Sequence, residues 1–327
     1  MSEMNQDYLR VVERVYAEAA RQPDAGLCCL PNAVWRLPGL HYPQRMLEMN
    51  YGCGSTVDPR EVREEDTVLY VGVGGGLELL QFAYLIRRPG GVIGVDPVAE
   101  MRQAALENLR LAELLNPWFR LEFVDIREGN ALALPLTDSS VSVAAQNCLF
   151  NVFRESELRQ ALAEIVRVLR PQGRFFTSDP ITPVPLPASL TEDDRLRARC
   201  ISGCTTLERY LELLGEAGFG RIEVRARFPY RVLTPAEFPQ LQEPVLLESV
   251  EIVAHKCARE ADGPAVFVGE TVTYIGSEPA WRDPVSGTCL PRGVPMPVSR
   301  NAARRLKQFP FIAYTPPTWH ARWTGCC

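Results

Sequence analysis

Residues 68–80 read VLYVGVGGGLELL. An apolar, β-branched run leads directly into a cluster of glycines, and the cluster opens a helical pattern that ends near Arg88. Gly72, Gly74 and Gly76 allow backbone conformations that other residues avoid, and they leave no Cβ between the main chain and a ligand. The stretch therefore predicts a strand, a tight turn and a helix, with a turn against which a nucleotide can lie.

The spacing of these glycines separates two kinds of nucleotide site. The dinucleotide fingerprint requires Gly or Ala three residues after its second glycine, and this chain has Leu77 there. The cluster instead resembles the G-x-G-x-G version of class I methyltransferases, which bind S-adenosylmethionine. A tight turn between strand and helix with no ligand would look similar.

A second apolar strand follows the predicted helix and strengthens the nucleotide interpretation. Residues 91–95 read GVIGV, and Asp96 stands at the carboxyl end of this strand. An acid in this position, about 20 residues after the last glycine, can accept both hydroxyl groups of a ribose. We therefore predict that Asp96 binds ribose, since a solvated loop aspartate would explain neither the strand nor the spacing.

Length, charge and cysteine content limit the class of protein. The 327 residues suffice for one sizeable domain with an appendage or for two modest domains. A net charge of −5 without a basic stripe argues against a nucleic-acid partner. The polar start and the lack of a long apolar run predict a cytoplasmic protein with no membrane partner, and we expect a monomer. Ten cysteines in such a chain favour reactive thiols over a disulfide framework.

Short apolar strands alternate with helical segments through most of the chain. Helical spacing is found at 7–21, 99–115, 155–169, 191–202 and 206–217, and strand patterns at 119–124, 141–146, 174–178 and 222–228. This alternation predicts an α/β fold with a parallel, doubly wound, Rossmann-like sheet. The proline-rich residues 180–187 predict a linker or lid.

Three segments are expected along the chain. Residues 1–60 would form an N-terminal helix and cysteine loops, and 61–229 the nucleotide-binding core. Residues 230–327 are rich in Pro and Gly with strand-like runs at 246–254 and 265–275. They predict a smaller β-rich domain, or an extension with little core of its own.

Ligands of such sheets bind beyond the carboxyl ends of the strands. Asn147 and Cys148 directly follow the fourth strand, and Asn130 lies in the loop before it. We predict that Asn130 faces an adenine edge and that Asn147 also contacts the cofactor.

Cysteines from separate segments could meet at this edge of the sheet. Besides Cys148, they are Cys53, which is flanked by glycines and expected in a mobile, accessible turn, and Cys200, which follows the proline-rich stretch. Three thiolates would form a trigonal pyramidal site for a soft, thiophilic ion. Cys257 and Cys289 are expected to be small buried hydrophobes, and the role of Cys204 stays open.

At these cysteines the chain resembles the arsenite S-adenosylmethionine methyltransferases. The matching motifs are YGCG at 51–54, QNCLFNV at 146–152 and RCISGC at 199–204, and the resemblance covers residues 27–228. It implies that Cys148 and Cys200 bind arsenic, and that Cys53 is a third ligand or pairs with Cys28 or Cys29. The C-terminal Cys326 and Cys327 look like the longer branch associated with arsenosugar and other organoarsenical biosynthesis, and the family's detoxification role is implied with it.

The resemblance also implies the reaction. Arsenite, held as As(III) by cysteine thiolates, would attack the sulfonium methyl of S-adenosylmethionine with its lone pair, and a thiol reductant such as thioredoxin or glutathione would restore the thiols. One departure is Tyr70, where class I methyltransferases usually have an acid, so another group, such as the backbone carbonyls around Gly72, would have to hold the methionine ammonium. The alternatives are a methyltransferase that modifies carbon, oxygen or sulfur of a small molecule, and a metalloid carrier without catalysis.

Overall fold

A mixed sheet of nine strands forms the centre of the protein as described by this computed structural model, which covers residues 7–24, 26–27 and 36–317. Its strands are β1 (Val68–Val71), β2 (Val92–Asp96), β3 (Val124–Glu128), β4 (Val141–Asn147), β5 (Leu169–Thr182), β6 (Thr205–Thr206), β7 (Arg221–Leu233), β8 (Val245–His255) and β9 (Ala265–Phe267). Their order is β3-β2-β1-β4-β5-β8-β7-β9, and β6 pairs with β5. Strands β1 to β5 run parallel, whereas β8 is antiparallel to both β5 and β7.

Helices cover both faces of this sheet, as a doubly wound fold requires. The α-helices of the described residues are α1 (Asp7–Arg21), α2 (Gln44–Glu48), α3 (Leu77–Ile86), α4 (Ala99–Leu115), α5 (Glu155–Val168), α6 (Ala188–Thr191), α7 (Asp194–Ala198), α8 (Leu207–Ala217) and, outside this sheet, α9 (Arg300–Leu306). The apolar faces of α3 and α4 join one buried cluster, and those of α5 and α8 join a second cluster. Strand β1 is buried along its whole length because both of its faces are covered.

A small substructure follows the main sheet. It contains the three-stranded sheet β13-β10-β14, the two-stranded sheet β11-β12 and α9. The strands are β10 (Thr271–Tyr274), β11 (Ala280–Arg282), β12 (Cys289–Pro291), β13 (Pro295–Pro297) and β14 (Ile312–Thr315). A third apolar cluster, which includes Val272, Leu290 and Leu306, gives this region a core of its own.

The fold class and most elements agree with the sequence, but the predicted boundary near residue 229 does not fall at an edge of the sheet. That position lies inside β7, and the run predicted at 246–254 forms β8, which pairs with β5 within the main sheet. Composition changes near residue 230, but β-pairing does not follow composition, so the sheet continues through it.

Three local predictions are wrong. The strand predicted at 119–124 begins at Val124, after a 3₁₀ turn at Leu121–Phe123. The predicted helix at 191–202 is two short helices, α6 and α7, and Cys200 lies beyond them with a left-handed φ of +55°, which an α-helix does not allow. The linker or lid predicted at 180–187 is wrong for its first residues, since β5 extends through Pro180 to Thr182. A proline is tolerated near a strand end, where its missing N–H is not required.

In the described part of the chain, no helix has the length and apolar character needed to cross a bilayer.

Candidate active site

Three glycines shape the turn between β1 and α3. Gly72, Gly74 and Gly76 have φ values of +80°, +50° and +88°, in the region that favours glycine. An added Cβ at Gly76 would lie 3.4 Å from the carbonyl oxygen of Ala105 in α4. Gly76 therefore allows close packing of two helices, whereas Gly72 and Gly74 line a cavity.

This cavity has a volume of about 1060 Å³, including its open mouth, and it lies at the carboxyl ends of β1, β2 and β4. Edges of this kind are where doubly wound sheets bind their ligands. Of the predicted cofactor residues, Gly72, Gly74, Asp96, Asn130 and Asn147 line it. Its lining of glycine backbone, apolar side chains and a few polar groups is typical of small-molecule sites.

Asp96 fixes the glycine turn from the end of β2. Its Oδ2 accepts a hydrogen bond from Val73 N at 2.9 Å, and its Oδ1 accepts one from Val98 N at 2.9 Å. Burial raises the pKa of this carboxyl to about 6, although the two N–H donors oppose the rise. Each oxygen has a second lone pair, so the carboxylate can still accept from ribose hydroxyls.

The two asparagines are held differently. Asn130 is exposed, and its Oδ1 accepts from the N–H groups of Leu132 and Ala133, which leaves its Nδ2 hydrogens as its donors to a base. Asn147 uses its whole side-chain amide within the protein. Its Nδ2 donates to Gly54 O and to Glu78 Oε1, both at 2.8 Å, and its Oδ1 accepts from Cys53 N at 2.9 Å. These bonds join the end of β4 to α3 and to the Cys53 segment.

Glu78 is a cavity residue that the sequence analysis missed. It lies in the first turn of α3, lines the cavity and is 8% exposed. Burial raises the pKa of this carboxyl, against the lowering effect of its hydrogen bonds with Asn147 and Tyr70. Its sequence signal is an acid two residues after the last glycine of the turn.

Cys148 and Cys200 lie beside one another in strained backbone. Both have left-handed φ values, +58° and +55°, and both are buried. The Cys200 thiol donates to the carbonyl oxygen of Cys148 at 2.9 Å, and the backbone N–H of Cys148 donates to Ser178 O at 2.7 Å. Non-glycine residues in this region cost free energy, and such strain concentrates at functional sites.

Cys53 reaches the same neighbourhood from the segment before β1. Its Sγ lies 3.5 Å from Ser178 Oγ, and Ser178 is also the residue that binds the backbone of Cys148. The predicted accessibility of Cys53 is wrong, since the residue is 1% exposed. Gly54 explains the burial, because an added Cβ there would lie 2.3 Å from Ser178 Oγ.

The three predicted thiols lie in the same part of the structure, but they do not form a ready-made ligand set. Across residues 7–24, 26–27 and 36–317, no three His, Cys, Asp or Glu side chains are arranged to hold a metal ion. The Cys200 thiol uses its hydrogen on a carbonyl instead, and Cys148 lines the cavity. Cys28, Cys29, Cys326 and Cys327 lie outside the described residues.

Cys204 belongs to the same buried region. Its thiol donates to Cys200 O at 3.1 Å, and Asn151 Nδ2 donates to its sulfur at 3.4 Å. Burial raises the pKa of this thiol well above its usual value, and the nearby Cys200 and Cys53 add to the rise. Cys257 is half-buried and Cys289 is exposed, so the prediction that both are buried hydrophobes is wrong for Cys289 and is not met in full by Cys257.

A buried acid lies beneath the thiols. Asp179 is 1% exposed, and its Oδ2 accepts from Tyr210 OH at 2.6 Å, from Thr177 Oγ1 at 2.9 Å and from Gln146 Nε2. Burial raises the pKa of Asp179 to about 6 even though these donors oppose the rise. Nothing in the sequence distinguished this aspartate from other strand-end residues.

Comparisons with known proteins agree with this geometry. Residues 69–177 match a family model described as a methyltransferase domain. The chain is 32% identical over 177 residues to an arsenite methyltransferase of Halobacterium salinarum, covering 54% of this chain and 43% of that protein. It is 31% identical over 172 residues to an arsenite methyltransferase of Aquipseudomonas alcaligenes, covering 52% of this chain and 48% of that protein.

A solved structure has a similar fold over most of this chain. It is an arsenic(III) S-adenosylmethionine methyltransferase from Chlamydomonas reinhardtii, with a TM-score of 0.59 and 21% identity, covering 83% of this chain and 92% of that one. The chain spans less than half the length of the two curated relatives. The expected resemblance is confirmed: the chain has the class I, Rossmann-like fold, its residues 69–177 match the methyltransferase-domain model, and it is similar in sequence to arsenite methyltransferases.

Proposed function

We propose that the protein transfers methyl groups from S-adenosylmethionine to trivalent arsenic bound by Cys53, Cys148 and Cys200. The observation that carries the proposal is that these cysteines, from three separate segments, are buried around Ser178 and the Cys148 backbone. Cys148 also lines the cavity beside the glycine turn, so this thiol adjoins the space for the methyl donor. The similarity to arsenite methyltransferases supports the same substrate.

The residues around the glycine turn fit S-adenosylmethionine. Gly72 and Gly74 would let its methionyl part lie against the backbone, Asp96 would accept from the ribose, and Asn130 would donate to the adenine. S-adenosylmethionine, when bound, supplies an electrophilic methyl group on a sulfonium. The thiol reductant belongs to this proposal as the reagent that resets the cysteines.

The thiols can load arsenite without a dedicated base. Each cysteine that binds gives its proton to a departing hydroxide, so a neutral arsenic trihydroxide becomes a thiolate complex and releases one water per bond. Loading requires the Cys200 thiol to leave the Cys148 carbonyl. The raised pKa of the Cys204 thiol disfavours its thiolate, so Cys204 is not included among the proposed arsenic ligands.

Bound As(III) keeps a lone pair, which attacks the methyl carbon while the carbon–sulfur bond of the sulfonium breaks. The protein contributes mainly by positioning, because effective molarity from a fixed geometry can remove a large part of the barrier. Arsenic gives up two electrons in forming the new bond. Two cysteines that become a disulfide return those electrons, and thioredoxin or glutathione then reduces the disulfide.

Arsenic speciation tests the proposal. The protein is incubated with arsenite, S-adenosylmethionine and excess thiol, and the products are separated by chromatography with elemental detection. Wild type is compared with Cys148→Ser and with the matched control Cys257→Ser, whose half-buried thiol follows β8 away from the cavity. We expect methylarsenicals from wild type and Cys257→Ser and none from Cys148→Ser.

The other results separate the alternatives. Absence of methylarsenicals from wild type, with S-adenosylmethionine bound, would refute arsenic as the acceptor and direct attention to carbon, oxygen or sulfur of an organic substrate. Binding of arsenite without binding of S-adenosylmethionine would favour a metalloid carrier. Equal product from wild type and Cys148→Ser would remove Cys148 from the site.

A further inference from the structure

We infer that Glu78 binds the amino group of the methionyl part of S-adenosylmethionine, in place of the acid that Tyr70 displaces at the end of β1. The inference rests on the proposed function, because it concerns the methyl donor in the same cavity. It assigns a cation partner to a residue that the motifs around the glycine turn did not identify.

The first argument is the unbalanced charge of Glu78. The carboxylate is 8% exposed, and its side-chain donors in the described structure are the neutral Asn147 amide, 2.8 Å from Oε1, and the neutral Tyr70 hydroxyl. A buried carboxylate is costly without a cation, and burial accordingly raises the pKa of Glu78. A ligand that brings an ammonium group into the cavity would remove that cost.

The second argument is the position of Glu78 along the cavity. Strand β1 lies between β2 and β4, and Asp96 ends β2 whereas Asn147, the hydrogen-bond partner of Glu78, ends β4. A nucleoside whose ribose meets Asp96 therefore extends past the glycine turn toward β4. Its amino-acid part would then lie on the side of the cavity that Glu78 and Cys148 line.

The third argument is that Tyr70 cannot take the missing role. The phenol is 2% exposed, and its ring packs near Phe82 with a centroid distance of 6.2 Å. Burial and the Glu78 carboxylate raise the pKa of Tyr70 well above its usual value, so the hydroxyl stays neutral and serves as a donor to Glu78. Tyr70 holds the carboxylate in place and adds no negative charge.

Calorimetric titration tests the assignment with two ligands. S-adenosylhomocysteine carries the ammonium group, and its deaminated analogue lacks only that group. We expect Glu78→Gln to weaken binding of S-adenosylhomocysteine about 10- to 100-fold, the range for a lost hydrogen bond between charged groups. Binding of the deaminated analogue should be equal in Glu78→Gln and wild type within about twofold, since glutamine keeps the acceptor for Asn147.

The matched control is Glu122→Gln, which removes the same charge from an exposed residue of the 3₁₀ turn before β3, outside the cavity lining. Binding of S-adenosylhomocysteine by this variant should stay within about twofold of wild type because solvent screens the exposed charge. Circular dichroism and thermal unfolding show that each variant is folded.

The outcomes are distinguishable. An equal loss for both ligands in Glu78→Gln, or an unchanged affinity for S-adenosylhomocysteine, would overturn the role of Glu78 and leave the proposed function standing. Wild-type protein that binds neither S-adenosylhomocysteine nor S-adenosylmethionine would overturn both.

Discussion

Gly54 allows the thiol site to form, and its replacement by alanine should disrupt that site. An added Cβ would lie 2.3 Å from Ser178 Oγ, 3.2 Å from the Phe228 ring and 3.3 Å from Glu251 Cγ. The φ of Gly54 lies outside the left-handed region, so the cost comes from lack of space and not from backbone strain. A neighbouring group must shift to make room for the added methyl group, and the Ser178 side chain is the nearest one.

The size of the expected loss in stability depends on how tightly the Ser178 side chain is packed. Its side chain is fully buried, and its Oγ contacts Cys53 Sγ at 3.5 Å and Ser249 Oγ at 3.3 Å. Overpacking a well-packed site costs ~1–3 kcal/mol, so Gly54→Ala should lower the free energy of unfolding by that amount. Ser178→Ala removes the clashing oxygen, and its own cost should be about 1 kcal/mol for the lost hydrogen bonds.

Urea unfolding of wild type, both single variants and the double variant forms a thermodynamic cycle. We expect the double variant to be more stable than the sum of the single losses predicts, by at least ~0.5 kcal/mol, because the main clash is absent when Ser178 is alanine. Arsenite binding should be lost in Gly54→Ala and partly restored in the double variant. Strictly additive free energies would show that the Cβ is accommodated elsewhere and would refute the reasoning.

Three further predictions concern buried groups. The carboxyl of Asp179 has a pKa of about 6 in the folded protein, above its unfolded value of about 3.9, so its contribution to stability is complete below about pH 4 and lost as the pH rises through 6. Urea unfolding at pH 4.5 and 7 should show a fall in stability that Asp179→Asn reduces by ~2 kcal/mol, and an equal fall in both proteins would contradict it. Arg174 donates to both oxygens of buried Asp66, at 2.7 and 2.6 Å. Asp66→Asn should therefore lower the free energy of unfolding by ~3–5 kcal/mol in the same assay, because it breaks a buried ion pair. A loss under ~1 kcal/mol would show that breaking this pair does not destabilise the fold. Timed alkylation of the native protein followed by peptide mass spectrometry should modify exposed Cys289 first and the four buried thiols, Cys204 among them, last, and modification of Cys204 before Cys289 would refute its protected state.

The sequence was sufficient for the local features of the site. The glycine spacing, the apolar strand before it and Asp96 after the next strand are short-range patterns, and a strand, turn and helix follow from them. The motif cysteines were found because their neighbours in sequence carry the resemblance. Cys53 and the Cys148 backbone contact Ser178 and the Cys200 thiol contacts the Cys148 carbonyl, whereas convergence of the three thiols on arsenic stays a proposal.

Glu78 shows where sequence reasoning stopped. An acid in the first turn of a helix is common and is usually solvated. Its importance depends on burial, on Asn147 and on the facing Tyr70, and these contacts join residues 69 and 8 positions apart in the chain. The prediction that Cys53 is exposed was wrong for a similar reason. Flanking glycines permit close packing as well as mobility, and here they allow Cys53 to be buried.

The sequence by itself determined the class I fold, the place of the cofactor turn and the candidate thiols, because hydrophobic period, glycine conformation and short motifs act over a few residues. Only the tertiary structure decided that β8 belongs to the main sheet, that Gly76 packs helices, and that Asp179 and Glu78 are buried acids. Strand pairing, exclusion of water and the pKa of a carboxyl depend on groups brought together from distant parts of the chain, and those contacts exist only once the chain has folded.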